Sequence, residues 1–250
     1  MVRLKSPEEI CKIEFAAKIV AEVLAVVEAY AVEGASANDM ERAAEDVINR
    51  RGGIPAFKGY NGYPYTLCVS VNEEVIHGFP LKAKVFSEGD IVSVDCGVVK
   101  DGFIGDAARS FVVGSYLCEK DRLLMERTEE ALCKGIEVAV AGNRLGDIGF
   151  AVQSCVESAG FSVIRDYVGH GVGVSLHEDP QVPNYGRQGS GMLLRTGMTL
   201  AIEPMVASGH YSLETLEDGW TVVTEDRSRA AHFEHDIAIM EDGPKILSRL

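Results

Sequence analysis

Proline is scarce, at 8 of 250 residues, and no proline- or serine-rich stretch interrupts the chain. That excludes a low-complexity or collagenous protein and gives no sign of a flexible linker between separate domains. Basic residues are in deficit, 24 against 38 acidic ones, for a formal charge of −14. A surface of that sign repels phosphate backbones, so nucleic acid is not expected as a direct substrate. Long apolar runs are missing as well. The longest, residues 15–32, is broken by Lys18, Glu22 and Glu28 and does not read as a membrane span. No apolar leader follows Met1, and none of the six cysteines forms a CxxC pair. A chain of this length buries about 70–75% of its unfolded surface and needs no disulfide or zinc to hold a core. The thiols therefore point to a reducing cytoplasm.

What is present is organised. Ser6-Pro7-Glu8-Glu9 is a helix start with an N-cap hydroxyl, proline in the first turn and a capping-box glutamate, and apolar residues recur at helical spacing as far as Gly34. A second helix is expected from the Ser36–Asp39 cap to Arg51, and the texture then turns to β-runs at 66–71, 91–99 and 103–113. Two further helices are expected over 119–140 and 145–158, with strands returning at 198–202, 220–224 and 234–240. Helix, helix, strands thus occurs twice. An α+β fold of two pseudo-symmetric halves around a shared antiparallel sheet follows, as one domain over residues 1–250.

Asp95 and Asp106 lie on opposite arms of a hairpin. If Lys100-Asp101 form its two-residue turn, Asp95 pairs with Asp106; if Asp101-Gly102 form it, Asp95 pairs with Ala108. Both registers put the two carboxylates on one face, whereas a three-residue turn would separate them. Cβ atoms of directly opposed residues are ~4.5–5.5 Å apart, which suits two carboxylates holding ions ~3.5–4 Å apart. Asp95 sits in an apolar strand, where a lone carboxylate is costly unless a cation, a turn role or Arg109 relieves it. Cys96 is expected to face away from Asp95. His170 stands between glycines in Gly169-His170-Gly171, His177 follows seven residues later, and Glu203 and Glu234 sit at the ends of apolar strands. Oxygen-rich sites with one imidazole are built at such places.

The segments Asn72-Glu73-Glu74-Val75-Ile76-His77-Gly78, Val94-Asp95-Cys96-Gly97 with Gly105-Asp106-Ala107, Gly169-His170-Gly171 with His177-Glu178, Ile202-Glu203-Pro204 and Phe233-Glu234-His235 resemble, in order and spacing, the type I methionine aminopeptidases. The likeness runs over almost the whole chain. It implies the pita-bread fold and five metal ligands, Asp95, Asp106, His170, Glu203 and Glu234, with Asp106 and Glu234 bridging two divalent ions. Cobalt, manganese, iron and zinc all suit that set. The implied chemistry is attack on the first peptide bond by a hydroxide held between the ions, with Glu203 moving the proton to the departing amine. His177 would polarise the scissile carbonyl and His77 would contact the substrate backbone.

The resemblance also implies a methionine pocket walled by Tyr60, Tyr63, Cys68 and Trp220, while Leu176 and Phe57 depart from the family's usual residues. Partners would be nascent polypeptide N-termini, with any transient ribosome contact made by the catalytic domain, since a zinc-finger extension is not seen; a monomer is expected. Val2 is small, so the chain is expected to accept its own N-terminus as a substrate. His210, His232 and His235 read as surface residues or as groups behind the ligands. The competing readings are an X-Pro aminopeptidase or prolidase, which usually carries a further N-terminal domain, and a metal-free binding module on the same fold.

Overall fold

A computed structural model describes residues 2–250. Met1, and with it the expectation about the chain's own N-terminus, lies outside the described residues. The first half comprises α1 (Pro7–Val27), α2 (Ala37–Arg50), β1 (Ile54–Pro55), β2 (Leu67–Val71), β3 (Glu74–Ile76), β4 (Ile91–Lys100) and β5 (Phe103–Val112). The second comprises α3 (Glu119–Glu137), α4 (Leu145–Ser158), β6 (Ser162–Val163), β7 (Gly169–Gly171), β8 (Glu178–Val182), β9 (Thr199–Ile202) and β10 (Met205–Ala207). It continues with β11 (Leu213–Thr215), β12 (Val222–Thr224), β13 (Ala230–His232), β14 (His235–Met240) and β15 (Gly243–Ile246).

Local chemistry sets the helix starts. The Ser6 hydroxyl accepts from Glu9 N and the Glu9 carboxylate accepts from Ser6 N, while at α2 both Ser36 N and the Ser36 hydroxyl donate to the Asp39 carboxylate. α1 stops at Val27, earlier than the apolar pattern suggests, and a single 3-10 turn over Glu28–Tyr30 finishes it. Each helix pair covers one main sheet. Val20, Val23, Met40 and Val47 pack on Val92, Val94 and Phe111 in the first half. Leu124, Leu132, Ile148 and Val152 pack on Leu200, Ile202 and Ile237 in the second. Each buried aliphatic side chain of this kind is worth about 1.5–3 kcal/mol.

The antiparallel sheet is not one continuous ladder. β1 and β2 pair with β4, whose other edge takes β5, while β15-β14-β9-β7-β8 forms a five-stranded sheet and two three-stranded sheets fill the corners. The main sheets meet where β5 runs beside the start of β14. There Glu234 N donates to Ala108 O (2.8 Å) and Asp106 N donates to the Asp236 carboxylate (2.7 Å). The N-terminal part of α1 lies across this seam, with Ile10, Ile13 and Ala17 against Ala238 and Leu247.

Asp101 and Gly102 form the hairpin turn, with φ of 50° and 79°, so Asp95 pairs with Ala108 and Asp106 with Gly97. The direct Asp95–Asp106 pairing does not occur, but the shared face does, two positions apart. Arg109 turns the other way, to Glu28 at 3.3 Å. It is no partner for Asp95.

Candidate metal centre

Residues from five strands and their ends converge on one pocket at the seam. Asp95 and Asp106 come from the hairpin, His170 from β7, Glu203 from just after β9 and Glu234 from just before β14. His235 pairs with Ile202, so the two glutamates stand side by side at the end of one ladder. The Gly169-His170-Gly171 run is a short strand inside the five-stranded sheet, between β8 and β9. A Cβ on Gly169 would stand 2.3 Å from Ala201 O, and one on Gly171 2.3 Å from Asp179 O. The flanking glycines let β7 squeeze between β8 and β9, and this aims His170 at the carboxylates.

His170 Nε2 lies 3.5 Å from Glu203 Oε1 and 3.9 Å from Asp106 Oδ2. Its Nδ1 lies 3.0 Å from Gly171 O, which needs a proton there, so the neutral ring keeps its lone pair on Nε2. One ligand atom each from Asp106, His170 and Glu234 fall within 4.8 Å of one another. Asp95 Oδ1, Asp106 Oδ1, Glu234 Oε1, Asp236 Oδ1 and His232 Nε2 are buried with no hydrogen bond among the described residues. Bare carboxylate oxygens packed this closely repel one another unless cations or protons lie between them. The donor set therefore fits divalent metal.

The electrostatics agree. Burial pushes the Asp95 carboxyl up to about 7 and the Glu203 carboxyl up to about 8. Asp106, Glu234 and Asp236 are also raised, by burial first and then by the neighbouring acids. Burial lowers His170 and His77 to about 4. These shifts set the stability of the protein without metal. Unfolded carboxyls lose their protons near pH 4, whereas folded Asp95 and Glu203 keep theirs to about 7 and 8. The folded chain then binds more protons than the unfolded one, and stability falls as pH rises. Below about pH 6.5 the histidines act in the opposite sense, which leaves the window from about 6.5 to 8 for the carboxyls. Chelator-treated protein is expected to lose Tm across that window, with added divalent ion restoring more at pH 8. Melting curves at constant ionic strength check this, and a flat or rising Tm would contradict it.

Every residue named from the sequence for the pocket lies on it: Tyr60, Tyr63, Cys68, His77, His177 and Trp220, with Phe57 and Leu176. Tyr63 meets Trp220 edge to face at 5.1 Å, and its hydroxyl donates to Leu67 O or Gly78 O. His77 has a left-handed backbone, φ 61°, and its ring is braced by the edges of Tyr167 and Trp220. His177 stands at the mouth, its ring 4.4 Å from that of His170. Glu178 holds the loop, accepting from Val174 N (2.7 Å) and Ser175 N (3.1 Å) and pairing with buried Lys5.

Cys96 packs into the helix-covered core, away from the pocket. His210 is exposed, and half-buried His235 bonds Ser248 Oγ through Nδ1 at 2.8 Å. His232 is not a surface residue: it is buried, with Nε2 3.6 Å from Glu203 Oε2, directly behind the candidate ligand. Asp236 was not picked out from the sequence. Its place two residues after Glu234 in an apolar strand was the available signal.

This fold and this site define a metallopeptidase, and the chain belongs to Metallopeptidase family M24, whose profile matches residues 11–241. The methionine aminopeptidase of Clostridium acetobutylicum is 51% identical over 99% of both chains, and that of Escherichia coli 42% identical over 99% of this chain and 94% of its own. The crystal structure of the Thermotoga maritima methionine aminopeptidase superposes with a TM-score of 0.99 at 54% identity, covering 100% of both chains. The prolidase of Pyrococcus horikoshii shares the pita-bread fold, with a TM-score of 0.79 at 24% identity over 98% of this chain and 63% of its own.

Proposed function

We propose that the chain is a metal-dependent aminopeptidase that removes the N-terminal methionine from nascent proteins and peptides whose second residue is small. The observation that carries this is a carboxylate-rich, one-imidazole cluster opening onto an apolar, aromatic-walled pocket, in a chain similar throughout to methionine aminopeptidases. In this reading Asp95, Asp106, His170, Glu203 and Glu234 would hold two divalent ions; cobalt, manganese, iron and zinc suit the donors. Bound there, the ions supply Lewis acidity and bring the pKa of water close to neutrality.

The side chains do the rest. Glu203, flanked by His170 and His232, takes up the proton of the attacking water and hands it to the leaving amine. His177 donates to the carbonyl oxygen as it gains charge. His77, held by Tyr167 and Trp220, contacts the substrate backbone. The methionine side chain fills the space between Tyr63, Trp220, Cys68 and Tyr60, where a thioether meets aromatic edges. Phe57 and Leu176 line it as well.

In this reading the catalytic domain works as a monomer in the cytoplasm, where it meets nascent N-termini and makes any transient ribosome contact. Among the described residues no helix is long and apolar enough to cross a membrane. Cleavage of Met-Ala-Ser, Met-Lys-Ser and Ala-Pro-Ser with each of the four metals tests the reading. Release of methionine from Met-Ala-Ser alone is expected. Preference for Ala-Pro-Ser would replace it with an X-Pro aminopeptidase, and no cleavage at all would favour a binding module.

A further inference from the structure

Two histidine rings meet beside the carboxylates, and they are held by their Nδ1 atoms in opposite senses. His170 Nδ1 faces a carbonyl oxygen, which can only accept, so its proton sits on Nδ1. His177 Nδ1 lies 2.8 Å from the Tyr60 hydroxyl. A phenol O–H is a much better proton donor than a neutral imidazole N–H, so the hydroxyl donates and Nδ1 accepts. The neutral His177 ring is left with its proton on Nε2.

We propose that Tyr60 is a positioning residue of the reaction: its hydroxyl holds His177 as the Nε2–H tautomer, the form that can donate to the carbonyl oxygen of the bond being cleaved. The inference rests on the aminopeptidase reading above and gives Tyr60 a task beyond walling the methionine pocket. The two tyrosines of that wall are used differently. Tyr63 is 3% exposed, and its hydroxyl is committed to the carbonyls of Leu67 and Gly78. Tyr60 is 38% exposed and points its hydroxyl at His177, with ring centroids 5.3 Å apart.

Both partners are fixed before any substrate arrives. Tyr60 N donates to Phe57 O (2.9 Å), Tyr63 N donates to Tyr60 O (2.9 Å) and Gly59 N donates to Tyr63 O (2.7 Å), so the turn that carries Tyr60 is closed from both sides. The His177 loop is tied through Glu178 to Val174 N, Ser175 N and Lys5. A donor set in place in advance needs no rearrangement as charge develops. Without the hydroxyl the imidazole could carry its proton on either nitrogen, and only one of the two forms serves.

The test is Tyr60→Phe, which keeps the ring in the pocket and removes the O–H. On Met-Ala-Ser, kcat is expected to fall about tenfold, roughly 1.4 kcal/mol of barrier, with KM and metal affinity changed less than about twofold. In the His177→Ala background the same change should have no further effect, because the group it acts through is gone. A spectroscopic arm reads the tautomer without turnover: 1H–15N correlations of the zinc-loaded protein should place the His177 proton on Nε2 in the wild type and on both nitrogens in Tyr60→Phe. Unchanged kcat, a rise in KM alone, or a wild-type proton on Nδ1 would overturn the inference. Failure of the aminopeptidase reading would show separately, as a wild-type chain that releases no methionine.

Discussion

Glu203→Gln is expected to slow methionine release by about 10³-fold or more, since proton transfer by a positioned carboxylate alone contributes about 10²–10⁴ and a candidate metal ligand is weakened as well. The amide fits the same space between His170 and His232. It can no longer take up and return a proton. The same substitution should move stability the other way. Burial holds the Glu203 carboxyl at about 8, so the folded metal-free protein is strained by its ionisation, and a neutral amide removes that penalty. Metal-free Glu203→Gln should therefore melt above the wild type at pH 8 while its loaded form is nearly inactive. Steady-state rates and melting curves on one preparation check both halves, and activity within tenfold of wild type would sink the assignment.

His177→Ala is expected to lower kcat by about 10²–10³, the effect of removing one donor to a developing oxyanion, about 2.7–4 kcal/mol. Metal binding should survive, because the atoms that cluster are those of Asp106, His170 and Glu234, and His177 touches them only through the His170 ring. Rates measured at saturating metal, with metal affinity read by calorimetry, separate the two effects. A large loss of affinity with kcat intact would place His177 among the ligands instead.

Much of the centre was legible because its residues break local patterns. Asp95 and Asp106 are acids in apolar strands, and the even Asp101-Gly102 turn fixes their common face. The caps of α1 and α2 are short-range chemistry and appear where the sequence puts them. The limits of legibility have physical causes too. β7 has three residues and glycine at both ends, so neither alternation nor β-propensity marks it, and only β8 and β9 beside it make it a strand. The same holds for the two-residue strands β1 and β6, which exist through their partners. Asp236 reaches Asp106 across 130 positions, Lys5 reaches Glu178 across 173, and Tyr60 reaches His177 across 117. No local pattern carries such contacts. His232 was placed behind the ligands or at the surface, and the seam between the halves decides for the first.

Calorimetric titration of chelator-treated protein with manganese, sampled at each addition for cleavage of Met-Ala-Ser, tests most directly whether the carboxylate and imidazole cluster holds two divalent ions on which methionine release depends. Two ions bound per chain, with negligible cleavage before the first addition and activity rising as the site fills, is the predicted result. Full cleavage by the stripped protein, or no saturable manganese binding, would contradict it.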